Sequence, residues 1–221
     1  MTRPESLTLE GPAGRLEAAL TVPGSPRHVA VVSHPHPLYG GSMDNLVVRE
    51  VEHALLAADT AVLRYNFRGV GGSEGGHDRG EGEKLDLATA IATATRRYVD
   101  LPLLLAGYSF GAIVTLALLA ETEPPPARLA GVLALAPPVS YFKGDNWSTA
   151  DRPAAIVYGS ADELTPEPRV RELAVNLGTV VTREKLDGAG HDLGTFSDPA
   201  PLREALRRSI AALLAAPVGT S

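Results

Sequence analysis

Residues 103–114 read Leu103-Leu104-Leu105-Ala106-Gly107-Tyr108-Ser109-Phe110-Gly111-Ala112-Ile113-Val114. The part before Ser109 is short and apolar enough to predict a buried β-strand, and an apolar helical pattern follows the serine directly. In this strand–turn–helix context the pattern Gly-x-Ser-x-Gly is typical of a nucleophile elbow, a tight turn that strains the backbone of the serine and points its side chain outward. We expect glycine to be required at positions 107 and 111, because a Cβ there would strike the neighbouring strand or helix.

Predicted strands and helices alternate along most of the chain. We expect strands at residues 28–33, 61–67, 103–108, 129–136, 154–158 and 179–186, and helices at residues 42–57, 83–98, 110–120 and 166–176. A closing amphipathic helix is marked by Leu202, Ala205, Leu206, Ser209, Ile210 and Leu213. Residues 6–10 and 15–22 flank Gly11-Pro12-Ala13-Gly14 and predict an antiparallel hairpin. The sequence therefore predicts an α/β fold, with a mostly parallel central sheet, helices on both faces and an N-terminal antiparallel hairpin.

In two of these elements the sequence also predicts the roles of individual residues. Ser42 is the expected N-cap of the helix at residues 42–57. The core-facing stripe of that helix is expected to contain Leu46, Val47, Val51, Ala54 and Leu55. Arg183 and Lys185 fall on one side of the strand at residues 179–186, which is typical of a sheet edge protected from further pairing.

The composition restricts the possible functions. The chain has 20 Lys and Arg residues against 26 Asp and Glu residues and no basic stripe, which argues against nucleic-acid binding. The absence of cysteine excludes disulfides, thiolate zinc sites and a cysteine nucleophile. The first residues lack the apolar core of a signal peptide, and the longest apolar runs are too short to span a membrane. We expect one domain over residues 1–221 with a flexible tail at 217–221, in a cytoplasmic protein that uses no cofactor and binds neither nucleic acid nor membrane.

Three polar residues follow three different predicted strands. Ser109 follows the strand at 103–108, Asp162 follows the strand at 154–158, and His191 follows the strand at 179–186. Since ligands and catalytic groups gather at the carboxyl ends of parallel strands, we expect these side chains to meet there. A serine hydroxyl needs a base to remove its proton, a neutral histidine can accept and return that proton, and an aspartate can hold the histidine tautomer. The order Ser, Asp, His predicts a catalytic triad.

Other interpretations of these residues stay open from the sequence alone. Asp162 could cap the helix that follows it, with Glu163 as a substitute acid, and His191 could be a surface loop histidine. Asp187 and Asp192 are expected to be turn and loop residues, because neither follows a separate central strand.

The loop after the strand at 28–33 reads Ser33-His34-Pro35-His36-Pro37-Leu38-Tyr39-Gly40-Gly41-Ser42-Met43-Asp44-Asn45. In proteins with such an elbow, an N–H from this loop and the N–H of the residue after the nucleophile form an oxyanion hole. The backbone N–H of Phe110 is therefore one expected donor. The two prolines of the loop have no N–H, so the other expected donor is His36, with Leu38 or Tyr39 as alternatives.

Two other patterns suggest a cofactor, and the sequence favours neither interpretation. His34 and His36 could ligate a metal, but no nearby acid or third histidine completes a site. The glycine-rich segment at 66–75 resembles a phosphate-binding loop, but Glu74 stands where the third glycine belongs and no helix starts there. A tight turn is the better interpretation of this segment. No functional role is predicted for the remaining histidines, His28, His53 and His77.

Taken together, these motifs resemble the α/β-hydrolase superfamily over nearly the whole chain. The chain looks most like the small lidless bacterial subgroup whose first loop reads His-Pro-His-Pro-x-x-Gly-Gly-x-Met-x-Asn, and this pattern is unbroken at residues 34–45. The turns at 68–75 and 159–162 and the Gly190-His191 step also match. The resemblance implies a Ser109, Asp162 and His191 triad with backbone donors at Phe110 and in the first loop. The similarly sized dienelactone hydrolases typically have a cysteine nucleophile, and the serine at position 109 departs from them.

The segment at residues 137–152 is too short for the helical lid that larger lipases and esterases carry at this place. It is rich in turn formers and contains Tyr141, Phe142 and Trp147, in a chain with only 5% aromatic residues. These side chains could pack locally or, with Tyr39, form the wall of a substrate pocket. We expect an open, shallow site without interfacial activation.

The sequence therefore predicts a serine hydrolase that cleaves small to medium carboxylic esters or thioesters through an acyl-enzyme intermediate. A peptidase or acyltransferase on the same triad is one alternative, and a non-catalytic binding scaffold is another. The physiological substrate and the oligomeric state do not follow from the sequence, because one fold hosts many chemistries.

Overall fold

The computed structural model describes residues 3–126, 128–140 and 147–216. Its strands are β1 (Glu5–Gly11), β2 (Gly14–Thr21), β3 (His28–Ser33), β4 (Thr60–Tyr65), β5 (Leu103–Tyr108), β6 (Leu129–Leu135), β7 (Ala154–Gly159) and β8 (Val180–Leu186). Its α-helices are α1 (Leu46–Ala57), α2 (Glu81–Arg97), α3 (Phe110–Glu121), α4 (Glu167–Leu177) and α5 (Ala200–Ala215), and a 3₁₀ turn covers Pro37–Tyr39. The predicted tail at 217–221 and two of the predicted pocket residues, Tyr141 and Phe142, lie outside the described residues.

An eight-stranded sheet in the order β1-β2-β4-β3-β5-β6-β7-β8 runs through the described residues. β1 pairs with β2 and β2 pairs with β4 in antiparallel fashion, and the other neighbouring strands are parallel. This arrangement confirms the predicted α/β fold and its N-terminal hairpin. β8 forms one edge of the sheet, as predicted, and its exposed Arg183 and Lys185 make pairing with a further strand unfavourable.

Helices cover both faces of the sheet and enclose two hydrophobic cores. On one face α2, α3 and α4 bury apolar side chains such as Leu87, Val114 and Leu173. On the other face α1 and α5 do the same, and all six residues predicted for the buried stripe of the closing helix are buried there: Leu202, Ala205, Leu206, Ser209, Ile210 and Leu213. None of the helices in the described ranges is long and apolar enough to cross a bilayer.

The start of α1 differs from the prediction. The N-cap is Asn45, whose side chain accepts the N–H of Val47 over 2.9 Å, and not Ser42. Ser42 instead accepts the N–H of Asp44 in a separate short turn, so the helix begins later than predicted. Leu46 is consequently 47% exposed, and Val48 takes a place in the core.

The start of α2 also differs from the prediction, because the side chain of Glu83, in the first turn of the helix, caps the helix. The helix begins at Glu81 and not at Glu83. Glu83 is fully buried and accepts the N–H of Gly80 over 2.8 Å, which satisfies a backbone donor that the helix itself leaves unpaired. Glu83 also accepts the N–H of Asp78, so its carboxylate holds the end of the loop that precedes α2.

Candidate active site

Ser109 lies in a strained turn between β5 and α3. Its backbone has φ 55° and ψ −120°, a conformation that a non-glycine residue adopts at a cost of about 1–3 kcal/mol. A Cβ on Gly107 would lie 2.4 Å from the Gly111 carbonyl oxygen, and a Cβ on Gly111 would lie 2.5 Å from the Ser33 carbonyl oxygen. Both positions therefore require glycine, as predicted, and the turn has the geometry of a nucleophile elbow.

The three side chains predicted for the triad form one line of hydrogen bonds. His191 Nε2 lies 2.8 Å from Ser109 Oγ, and His191 Nδ1 lies 2.8 Å from Asp162 Oδ2. Asp162 follows β7 and His191 follows β8, so loops from separate strands bring these groups to the serine. Glu163, the alternative acid, has no hydrogen bond or ion pair to His191 within the described part of the chain.

The surroundings of Asp162 determine the proton positions along this line. Burial by itself would raise the pKa of Asp162, but the hydrogen bond and charge of His191 and the Leu164 N–H, which donates to Oδ1 over 2.9 Å, hold the pKa below its usual value. Asp162 is therefore a carboxylate, and a carboxylate only accepts hydrogen bonds. It follows that His191 Nδ1 donates to Asp162, which leaves Nε2 of a neutral ring to accept the Ser109 hydroxyl proton.

Tyr108 also contacts His191, a role that was not predicted from the sequence. Its hydroxyl donates to the His191 carbonyl oxygen over 2.9 Å, and the two ring centroids are 5.7 Å apart. Burial raises the pKa of Tyr108, so the hydroxyl remains a donor across the working pH range. The available signal was strand alternation, since Tyr108 precedes Ser109 and must face the opposite side of the sheet.

The first loop leaves one of the three candidate oxyanion donors unoccupied. The Leu38 N–H donates to His36 Nδ1 over 3.2 Å, and the Tyr39 N–H donates to the His36 carbonyl oxygen over 3.1 Å. The His36 N–H has no acceptor among residues 3–126, 128–140 and 147–216. Phe110 is the first residue of α3, where the helix provides no acceptor for its N–H. His36 and Phe110 are thus the N–H groups that remain available to a ligand.

His34 links this loop to the end of β4. Its Nδ1 lies 2.6 Å from the Pro35 carbonyl oxygen, and its Nε2 accepts the N–H of Phe67 over 3.0 Å. Burial lowers the pKa of His34 to about 4, so the ring is neutral near pH 7. Because protein groups occupy both ring nitrogens, His34 has no lone pair for a metal, and the disfavoured pairing of His34 with His36 as ligands gains no support.

His77, for which no role was predicted from the sequence, lies beside the first loop. The His77 ring is 4.7 Å from the His36 ring and 5.6 Å from the Phe110 ring, and its Nδ1 lies 2.8 Å from Glu83 Oε1. No local sequence pattern connects these rings, since His77 follows a different strand from His36 and from Phe110.

The predicted pocket residues within the described ranges occupy different environments. Tyr39 is 87% exposed, with its ring 4.9 Å from the His36 ring. Trp147 is half-buried and packs against the core on the side of α2, α3 and α4. Their assignment to a pocket wall stays a prediction.

Known proteins share this architecture and its sequence pattern. The model of the alpha/beta hydrolase domain family matches residues 30–214. An uncharacterised protein of Rickettsia prowazekii is 34% identical over 193 residues, which are 82% of this chain and 79% of that protein. A serine hydrolase without a lid from Xanthomonas campestris has a TM-score of 0.85 at 31% identity and covers 98% of both chains. An α/β serine hydrolase homologue from Coxiella burnetii has a TM-score of 0.83 at 32% identity, covering 94% of this chain and 97% of that one. The chain therefore belongs to the α/β-hydrolase family, and within that family to the small hydrolases without a lid.

Proposed function

We propose that the protein is a serine hydrolase that cleaves small to medium carboxylic esters or thioesters, with Ser109 as nucleophile, His191 as general base and Asp162 as its orienting acid. The observation that carries this proposal is the pair of 2.8 Å hydrogen bonds that join the three side chains. The strained backbone of Ser109 supports the same assignment, because such strain is concentrated at functional sites.

In the proposed reaction, Ser109 Oγ attacks the ester carbonyl while His191 Nε2 takes the hydroxyl proton. The backbone N–H groups of Phe110 and His36 stabilise the negative charge on the carbonyl oxygen, and loss of one such donor typically lowers kcat by about 10²–10³. His191 then returns the proton to the leaving alcohol or thiol, and the acyl group remains on Ser109. A water molecule that His191 activates releases the acid by the same steps in reverse.

Access to the site supports small, soluble substrates. The His191 side chain is 28% exposed although it contacts both partners, so a substrate reaches it without a rearrangement of the fold. Tyr39 is an exposed residue of the first loop and offers an apolar surface to one part of the substrate. We expect no jump in rate when an ester substrate passes its micellar threshold.

The test is an active-site titration with p-nitrophenyl acetate and a fluorophosphonate probe. Wild-type protein should release a burst of p-nitrophenol and carry the probe on Ser109. Ser109→Ala should lose the burst and the label while keeping its fold, whereas Ser6→Ala, at an exposed position on β1, should keep all three. Unchanged turnover by Ser109→Ala, or folded wild-type protein that the probe does not label, would refute the proposal.

A further inference from the structure

Two imidazole rings stand together beside the proposed oxyanion donors. The ring centroids of His36 and His77 are 4.7 Å apart, and they lie 4.7 Å and 5.6 Å from the ring of Phe110. Phe110 directly follows Ser109, and His36 supplies the second proposed donor. The pair therefore lies beside the two residues whose backbone N–H groups are proposed to hold the carbonyl oxygen.

The hydrogen bonds of His36 determine which of its nitrogens carries the proton. Its Nδ1 accepts the N–H of Leu38 over 3.2 Å, so the neutral ring must carry its proton on Nε2. Partial burial, together with the neighbouring His77, lowers the pKa of His36, and the ring is neutral near pH 7. His36 Nε2 is consequently a hydrogen-bond donor.

His77 has the opposite arrangement because of Glu83. The Glu83 carboxylate also accepts the N–H groups of Asp78 and Gly80 over 2.9 Å and 2.8 Å. Burial alone would raise the pKa of Glu83, but these backbone donors hold it below its usual value. Glu83 is thus an acceptor only, His77 Nδ1 must donate to it, and a neutral His77 presents a bare Nε2 that accepts hydrogen bonds.

Neither Nε2 is occupied by the protein. In the parts of the chain that the structure describes, no hydrogen-bond partner reaches His36 Nε2 or His77 Nε2, and neither atom is fully buried. The His77 side chain is only 13% exposed, and its contact with Glu83 restricts the rotation of the ring. One donor and one acceptor, on rings whose centroids are 4.7 Å apart, are therefore left without a partner among the described residues.

We propose that His36 and His77 form a subsite for a hydroxyl group of the substrate, an inference that rests on the proposed ester hydrolysis at Ser109. A hydroxyl is both donor and acceptor, so it can accept from His36 Nε2 and donate to His77 Nε2 at the same time. A carboxylate has no proton to donate, and the negative charge of Glu83 disfavours it further. A methyl or methylene group would satisfy neither nitrogen. The protein thus prefers esters that carry a hydroxyl at one particular distance from the scissile carbonyl.

The test compares esters that differ by a single hydroxyl, measured by acid release at about pH 8, where histidine is ordinarily neutral. Ethyl hexanoate is compared with its 2-, 3- and 6-hydroxy derivatives, and hexyl acetate with 3- and 6-hydroxyhexyl acetate, so that the hydroxyl is placed on the acyl or on the alcohol side. We expect kcat/KM for one hydroxylated ester to exceed that of its parent by about two- to twelvefold, the value of one neutral hydrogen bond.

The variant His77→Phe keeps an aromatic ring and removes the acceptor, so the hydroxyl keeps at most the bond from His36 and this preference should fall toward one. His53→Phe is the matched control, since His53 is exposed on α1 at the opposite face of the sheet, and it should keep the wild-type preference. Each preference is a ratio of two rates on one preparation, so partial unfolding of a variant does not change it.

Three outcomes would overturn the subsite. A wild-type preference near one for every hydroxylated ester would do so, and so would a wild-type preference retained by His77→Phe. Turnover of the parent esters in those experiments would leave the proposed ester hydrolysis intact. Absence of turnover for every ester would instead overturn the proposed function and the subsite with it.

Discussion

Replacing Tyr108 with phenylalanine removes one hydroxyl from the support of His191. This hydroxyl donates to the His191 carbonyl oxygen over 2.9 Å, and the tyrosine itself is buried in the core beneath α1 and α5. A hydrogen bond of this kind contributes about 0.5–1.5 kcal/mol to the free energy of unfolding. Since 1 kcal/mol shifts Tm by about 2–4 °C in a domain of this length, we expect Tm to fall by about 1–6 °C.

The same bond fixes the position of the His191 backbone, and through it the imidazole between Ser109 and Asp162. If the transition state loses the full free energy of this hydrogen bond, kcat for p-nitrophenyl acetate falls by about two- to twelvefold. KM should change little, because the Tyr108 hydroxyl contacts the backbone of His191 and not the substrate side of the ring. The assay combines steady-state kinetics with thermal unfolding followed by circular dichroism.

Tyr158→Phe is the matched control for this experiment. Tyr158 is also buried near the end of a parallel strand, β7, but its hydroxyl has no hydrogen bond to any described residue. Loss of the Tyr158 hydroxyl should therefore change the free energy of unfolding by less than about 0.5 kcal/mol and leave kcat unchanged. A Tyr108→Phe protein with wild-type kcat and the same Tm as Tyr158→Phe, or with its defect only in KM, would show that the bond to His191 does not position this proposed base.

The other predictions concern the first loop and the helix that follows it. Asn45→Ala should lower the free energy of unfolding by about 1 kcal/mol because it removes the cap of α1, whereas Ser42→Ala should have a smaller effect; equal losses in urea unfolding would contradict the observed cap. The pKa of His34 is lowered from 6.5 to about 4 in the folded state, so the unfolded chain binds the proton first and stability is lost as the pH falls from 6.5 towards 4. The full loss in the free energy of unfolding is about 3 kcal/mol. His34→Gln should therefore show a flatter dependence of the free energy of unfolding on pH between about pH 7 and 4.5. An unchanged slope would contradict a buried neutral His34.

The sequence predicted those features that depend on neighbours in the chain and on one general rule of parallel sheets. The elbow could be predicted because β5, Ser109 and α3 are contiguous. Asp162 and His191 could be connected to Ser109 because each follows its own strand and parallel strands end at a common edge. Likewise the buried stripe of α5 repeats with helical spacing, and the structure buries every residue of it.

The features that the sequence predicted wrongly, or did not predict, depend either on competition between nearby residues or on contacts between distant parts of the chain. At α1, two residues could cap the helix, and only the path of the preceding loop selects Asn45 over Ser42. At α2, the buried Glu83 caps the helix while its other oxygen holds His77, a pairing that no local pattern encodes. Tyr108 meets the His191 carbonyl across 83 positions of sequence, so its role follows only from the packed fold.

The proposed nucleophile and the first loop are held together by backbone contact more than by side chains. Gly111 lies so close to the end of β3 that an added Cβ would be 2.5 Å from the Ser33 carbonyl oxygen and 2.6 Å from that of His34. The first turn of α3 therefore rests on the residues that begin the loop carrying His36. Since His34 is itself bonded through both ring nitrogens, that loop can shift only if several buried contacts break. The separation between the Phe110 and His36 N–H groups is thus determined before any substrate binds, as the proposed oxyanion hole requires, since preorganised donors stabilise developing charge without the energetic cost of reorienting.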